Sequence, residues 1–421
     1  MTILQLFRTH PRYLAYGFFH FFFSAVGQTF FISLFVLAMS ERMGWGEDTF
    51  AGLYSGVTLV AAFLLPVVGV QVDRLRARTV STVTALVVAA GLVTLSFTTS
   101  LWFLVPALFL VRFGGQGVLP LIGSTTIGRF FEEGRGKALS ASIIGISAAE
   151  VAVPPLAVWL MEVAGYQRVW LAAAAAIVLV FIPAVWALIR KEDAFQRGDM
   201  VAAAQANTAS PQASWTRGEV LRDRRFRLLI PVFVFLPFLF TGLVFNQSVL
   251  GADRGYTAAW MALGLSAYGG SRALCLLSVG ALADAHGAAR LLRFAYLPLL
   301  IGLAVLLFFH QDFAVPVFFA LAGVTGGVES VLMPALWAER YGPRFLGSIK
   351  STVRLLVVLA AAAAPIVWSV GFGWSIDGWL AVMLAYGAAC QLLLRLERRV
   401  PEGESAKHPP TPRPGGVRSR K

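Results

Sequence analysis

The chain has 421 residues, of which 57% are hydrophobic and only 14% charged, and its mean hydropathy is +0.73. Charged residues supply about a quarter of an ordinary soluble domain, so this composition excludes a string of soluble domains and indicates a polytopic helical membrane protein. The net charge of +13 raises the question of a nucleic-acid partner, and the placement of the charges answers it.

Runs of ~20 apolar residues match a hydrocarbon core of about 30 Å, and backbone inside lipid must bond to itself, which favours helices. Hydropathy places twelve such spans. The first half carries them over 14–38, 50–70, 79–98, 102–124, 137–162 and 169–189. Arg8, His10 and Arg12 precede the first one in the manner of a signal peptide, but no small-residue cleavage site follows, so it reads as an uncleaved span. His20, inside FFHFFF, reads as a packing residue in preference to a proton shuttle. A polar connector over 190–228 contains AAAQANTASPQAS and is expected to hold little fixed structure. The second half carries spans over 229–250, 259–281, 290–309, 314–337, 347–371 and 379–396. A Pro-rich basic tail, 399–421, is expected to be disordered.

With the N-terminus placed in the cytoplasm, only Arg42, Arg168 and Arg254 fall in outward loops, and Arg112 and Arg272 fall inside spans. Positive charge concentrated on one side is the positive-inside pattern. The basic balance therefore reports topology, with both termini cytoplasmic, and no nucleic acid is expected. Cys275 and Cys390 lie inside spans and offer neither a disulfide framework nor a metal set. No cofactor or metal is expected, and the chain carries no G-x-S-x-G, P-loop or zinc spacing that would indicate an enzyme.

The chain repeats itself. GVQVDRLRAR from Gly69 is echoed by GALADAHGAAR from Gly280, and the pairs Gly69/Gly280, Asp73/Asp284 and Gly136/Gly347 share one offset of 211 residues. Two parallel six-helix bundles, 1–189 and 229–398, follow, related by a pseudo-two-fold axis along the membrane normal.

Charges inside spans point to function, because each costs about 2.5–3.5 kcal/mol at a helix centre on insertion scales. Arg112, Glu150, Arg272 and Glu329 lie deep, and Arg354 lies two turns into span 11. Arg272 follows Tyr268-Gly269-Gly270-Ser271; its planar fork suits a carboxylate, or else it pairs structurally with Glu150 or Glu329. A carboxyl withdrawn from water and set near an arginine can load and release a proton, so Glu150 and Glu329 are candidates for proton coupling, with Glu150 ranked ahead. Gln28, Asn246 and Gln247 are polar groups in spans 1 and 7 that either bind a solute or link helices.

The phrase Gly69, Asp73, Arg74, Arg78, with Arg76 where a glycine is usual, resembles the loop signature of the major facilitator superfamily. Arg112, Gln116 and Gly117 are similar to that family's R-x-x-x-Q-G motif in helix 4, and the resemblance covers about residues 10 to 398. Pro154-Pro155, the GYQR following, FFEEGRGKAL and the arginine in span 8 are loosely similar to the monocarboxylate and oxalate/formate branches. The resemblance implies twelve helices, a solute site between the halves lined by helices including 1 and 7, and a role for Arg112 in the cavity or in coupling. It also implies a cytoplasmic gate at Asp73, Arg74, Arg78, Asp284 and Arg290, with Asp73 on Gly347-Ser348-Ile349 and Asp284 on Gly136-Lys137-Ala138.

The expected function is secondary active transport of a small organic anion, a carboxylate, by proton symport in a bacterial inner membrane, by a monomer in the lipid bilayer. Arg272, Arg354, Tyr268, Gln28, Asn246 and Gln247 would bind the solute, and Glu150, Glu329 and Arg112 would couple the proton. A proton-coupled exporter of lipophilic metabolites and a transport-dead sensor or scaffold are the alternatives.

Overall fold

The computed structural model describes residues 8–131, 135–189, 215–286, 288–341 and 346–396. Much of the connector and the tail 399–421 lie outside the described residues. Every regular element among the described residues is helical, as backbone self-satisfaction in lipid requires. Ten helices are long and apolar enough to cross a membrane, a bent pair from Pro11 to Met43 forms an eleventh span, and a further helix carries a shorter apolar stretch, Thr49–Leu65.

In the first bundle, α1 runs as Pro11–Phe23, Thr29–Ile32 and Val36–Met43 joined by tight 3-10 turns. It is followed by α2 (Glu47–Arg74), α3 (Ala77–Phe97), α4 (Leu101–Val111 continuing to Leu119–Phe130), α5 (Arg135–Ala164) and α6 (Tyr166–Ala176 continuing to Ile182–Leu188). The second bundle holds α7 (Arg224–Phe245, then Gln247–Arg254), α8 (Ala258–His286), α9 (Ala288–Leu292, then Leu297–Phe308), α10 (Ala314–Tyr341), α11 (Leu346–Trp374) and α12 (Ile376–Leu396). With an even number of spans, α1 begins and α12 ends on one face, here called the terminal face; the opposite one is the distal face.

The duplication is visible in the packing. Within the bundles α1 packs on α5 as α7 packs on α11, α3 on α4 as α9 on α10, and α3 on α6 as α9 on α12. Two long seams join the bundles, α5 against α8 and α2 against α11, and the pseudo-two-fold exchanges one for the other. Lipid tails are as apolar as leucine, so membrane helices associate through close packing of small residues. Gly269 brings α8 against the α5 backbone, where an added Cβ would lie 2.8 Å from the Ser147 carbonyl. Gly323 and Gly327 admit α8 against α10 in the same way. Outward-facing Trp102, Leu179, Phe308 and Trp374 are largely exposed, as a lipid-facing surface requires.

α1 bends by 44° at its break. Gly27 lies against the Gly115–Gln116 backbone of α4, where a Cβ would collide with main chain. There α4 itself widens into a π-type turn, Arg112–Val118. Both departures from regular helix sit at one crossing, which frees backbone groups that side chains must satisfy.

The connector takes fixed form from Trp215 onward. Thr216 and Glu219 form a reciprocal capping box for a short helix, Arg217–Arg222. Trp215 N–H donates to the Tyr341 carbonyl at 3.0 Å, the two rings meet edge to face, and Tyr341 Oη donates to Asp223 Oδ2 at 2.7 Å. Trp215 is strapped to the end of α10 and Val220 is buried where its short helix packs on α7 and α11, against the expectation of little fixed structure over this part of 190–228.

Candidate functional site

Helical rise of 1.5 Å per residue sets the depth of each buried charge. Glu150 lies 15 residues into α5, Arg272 14 into α8 and Glu329 15 into α10, so all three stand at mid-span. Arg272 Nη1 donates to Glu150 Oε1 at 2.7 Å, with the two side chains 17% and 6% exposed. This ion pair crosses the α5–α8 seam and therefore joins the two bundles. Arg272 also stands over the Tyr268 ring at 6.0 Å, and Tyr268 stacks on Phe240 of α7. Glu329 shares the neighbourhood of Arg272 and lies beside the Tyr296 hydroxyl of α9. Its Oε2, like Glu150 Oε2 and Arg272 Nε, is buried with no hydrogen-bond partner among the described residues. Of the two pairings open to Arg272 in the sequence, the structure realises the one with Glu150.

Arg112 is almost wholly buried at the bend of α1. Its Nη1 donates to the Gly27 carbonyl at 2.7 Å and its Nε to Thr58 Oγ1 at 3.2 Å, and its guanidinium stands 4.4 Å from the Tyr54 ring centroid. Tyr54 Oη in turn donates to Thr29 Oγ1 at 2.8 Å. Arg112 thereby satisfies the carbonyl that the bend exposes and ties α1, α2 and α4 together. Tyr54 and Thr58 escaped the sequence reading; their one signal was the four-residue spacing that puts both on one face of α2.

Beside this stitch, the α2–α11 seam holds a small open recess lined by Thr58, Leu65, Arg112, Phe113, Gln116, Arg354 and neighbouring small apolar residues. Arg354 is exposed within it. Two guanidiniums and an amide line the cavity, and no carboxylate does among the described residues. The two symmetry-related seams thus differ: one is closed by an internal ion pair, and the other sets Arg354 in a small recess with no carboxylate among its described lining residues.

The remaining expected residues fall into three groups. Gln28 is half-buried at the bend of α1. Asn246 Nδ2 donates to the carbonyls of Gly242 and Pro365 at 2.8 and 3.2 Å, linking the break of α7 to α11. Gln247 Nε2 donates to Ser33 Oγ at 3.0 Å, a bond between bundles in the distal half. Phe245 against Tyr54, and Ser266 Oγ donating to the Val151 carbonyl at 2.7 Å, join the bundles on the same half. Of the gate residues, Arg78 donates to the carbonyls of Trp186 and Ile189 and so ties α3 to α6 within one bundle. Arg290 is exposed at the terminal face. The side chains of Asp73, Arg74 and Asp284 lie outside the described residues. His20 is fully buried, with Nδ1 2.8 Å from the Tyr16 carbonyl and Nε2 2.8 Å from Ser81 Oγ, a satisfied packing histidine.

Comparison with known proteins agrees with this architecture. The model of the Major Facilitator Superfamily matches residues 17–365. No curated protein sequence matches the chain. Among solved structures, the nucleoside transporter NupG superposes with a TM-score of 0.65 at 13% identity, covering 95% of this chain and 99% of that one. The human organic anion transporter MFSD10 (TETRAN) superposes with a TM-score of 0.63 at 17% identity, covering 92% and 99%. At such identities the likeness is one of fold. The family match over most of the chain, the twelve spans and the duplicated bundles together place this multi-pass membrane protein in the major facilitator superfamily, as a transporter and not an enzyme.

Proposed function

We propose that the chain carries a small organic anion, a carboxylate, by proton symport and alternating access. The observation that supports this most is the cavity at the α2–α11 seam, with Arg112 and Arg354 and no carboxylate among its described lining residues. A cation inside a membrane protein needs a counter-charge, and an anionic solute supplies it. Arg112 is spent on Gly27 and Thr58, so Arg354 makes the direct contact and Arg112 contributes positive potential. The half-buried amide of Gln116 donates alongside, and Phe113 with the small residues of α2 receives the apolar body.

Arg272, expected from the sequence as the anion's anchor, serves coupling in this reading, since Glu150 already occupies its Nη1. Glu150 and Glu329 supply the carboxyl that carries the proton, and Tyr268 holds the Arg272 side chain in place. Gln28, half-buried at the bend of α1, remains a candidate solute contact, whereas Asn246 and Gln247 link helices. The positive-inside pattern supports a cytoplasmic terminal face, in a bacterial inner membrane on this reading. Asp73 and Asp284, with Arg74, Arg78 and Arg290 about them, then act as cytoplasmic latches on the starts of α11 and α5.

A thermal-shift panel of organic acids, amines, sugars and nucleosides on the purified protein tests the cargo class. Carboxylates should raise Tm in the parent and not in Arg354→Gln. Protection by lipophilic cations or uncharged solutes, without protection by carboxylates, would sink the anion reading. Uptake of the protecting acid into proteoliposomes should follow an imposed pH gradient; uptake indifferent to it removes the symport.

A further inference from the structure

We propose that the strap, residues 215–222, and the start of α7 form a docking surface for anionic phospholipid, with Arg217, Arg222, Arg224 and Arg227 holding the headgroup phosphates. Five arginines fall within residues 217–227, and all but the half-buried Arg225 are exposed. The two acids of the same stretch are engaged elsewhere. Glu219 Oε2 accepts from the Thr216 amide and hydroxyl at 2.7 and 2.8 Å. Asp223 accepts from the Arg225 amide at 3.2 Å and from Tyr341 Oη at 2.7 Å. Among the described residues no carboxylate pairs with the four exposed guanidiniums. A cluster of this kind at the mouth of a span attracts anionic headgroups, and the guanidinium fork matches phosphate oxygens.

Depth sets these arginines at the phosphates. The apolar span Arg224–Phe245 has 22 residues, about 33 Å at 1.5 Å per residue, against a hydrocarbon core of about 30 Å. Its first turn therefore stands at headgroup level, with Arg224 and Arg227 three residues apart on one side. The strap follows without a loop, because Asp223 closes its helix and opens α7. Val220 is buried and lines the underside of the strap with Phe226 of α7 and Ile349 of α11. Leu221 is left 39% exposed beside Arg222, one turn from Arg217. An apolar side chain flanked by guanidiniums suits the boundary between acyl chains and headgroups.

Topology alone does not account for the cluster. His10-Pro11-Arg12-Tyr13 before α1 corresponds to Asp223-Arg224-Arg225-Phe226 before α7, and over the matching residues 4–14 the first bundle carries Arg8 and Arg12. Two arginines serve the positive-inside pattern there, where the second bundle has five. The surplus sits on the one element that reaches three helices, since the strap is bonded to the end of α10 and packs on α7 and α11. Lipid held on it steadies the terminal ends of those three helices together.

Hydrogen–deuterium exchange of the full chain in nanodiscs of phosphatidylglycerol, set against nanodiscs of zwitterionic phosphatidylcholine, tests this. Amides of residues 215–222 should exchange more slowly in phosphatidylglycerol. Replacing Arg217, Arg222, Arg224 and Arg227 together by glutamine should abolish the difference. Replacing Arg8, Arg12, Arg293 and Arg395 removes as much charge from the same face and should leave it intact. In native mass spectrometry, retention of phosphatidylglycerol should fall about fivefold for each of the four arginines replaced. Equal exchange in both lipids would overturn the proposal and leave the arginines to topology or to the connector's own acids, such as Glu192 and Asp193. An equal loss in the control variant would overturn it too, by assigning the effect to the charge of the whole face. Should the fourfold variant fail to fold, the two lipids compared on the parent still decide.

Discussion

Replacing Gly269 by alanine separates the stability of a bundle from the balance between conformations. A Cβ at this position would stand 2.6 Å from Glu150 Cβ, 2.8 Å from the Ser147 carbonyl and 2.9 Å from the Val151 amide nitrogen. Ordinary van der Waals contact begins at 3.4 Å, so α5 and α8 must part by roughly half an ångström or more, since two of the three obstacles are backbone. Overpacking of this kind costs about 1–3 kcal/mol. The cost falls only on the state in which α5 and α8 touch here, so it becomes a shift of about 5- to 150-fold in the ratio of the two conformations. Both helices remain packed in their own bundles, against α1 and α10 respectively, so folding should be spared. The assay is the distance distribution between spin labels placed on the distal ends of α5 and α8, with Tm measured alongside. The expected outcome is a larger distal-open population with Tm nearly unchanged. An unchanged distribution would refute the argument that this glycine sets the seam, and so would a collapse in Tm with no change in distances.

Other expectations follow from the same geometry. Gln247→Leu removes the bond to Ser33 between bundles; membrane hydrogen bonds average about 0.6 kcal/mol, so the same label pair should report a distal-open population raised about threefold. Arg112→Lys cannot reach Gly27, Thr58 and the Tyr54 ring together, and leaving the Gly27 carbonyl bare costs about 1–3 kcal/mol, visible as a Tm lowered by several degrees. Burial, with Asp223 beside it, holds the Tyr341 phenol above its usual range. A raised folded value means that its contribution is full below about pH 10, where the unfolded group is still neutral, and declines above it. The Tm difference between the parent and Tyr341→Phe should therefore be constant to about pH 10 and shrink beyond it; a difference that grows instead would show that the phenol does not act through its neutral form.

Twelve spans and a duplicated plan were legible because hydropathy and a repeat at 211 residues are properties of the chain alone. The buried charges were legible for the same reason, since an ionised side chain in an apolar run is conspicuous wherever it lands. Their partners were not. Whether Arg272 met Glu150 or Glu329 depended on where the small residues Gly269, Gly323 and Gly327 let helices approach, and that is a tertiary outcome. The work of Arg112 depended on a bend in α1 that exists only because Gly27 meets Gly115 of another helix. Gln247 and Ser33 meet across 214 residues, and neither carries any local sign of the other. The strap from Trp215 was missed because the capping box Thr216 to Glu219 sits at the edge of a polar stretch that dominated the reading of its neighbours.

The two seams begin as equivalents under the pseudo-two-fold, yet one is bolted by Arg272 and Glu150 and the other is left hollow beside Arg354. Duplication supplied two copies of one joint, and under the proposed function divergence has given them different trades. On that reading the bolted joint acts as the escapement of the cycle, since its ion pair must break before the two bundles part there. The hollow joint can vary in shape and lining to suit a new cargo without disturbing that timing. Changes of solute specificity in chains built on this plan should accordingly accumulate along α2, α4 and α11, while α5, α8 and α10 hold the mechanism constant.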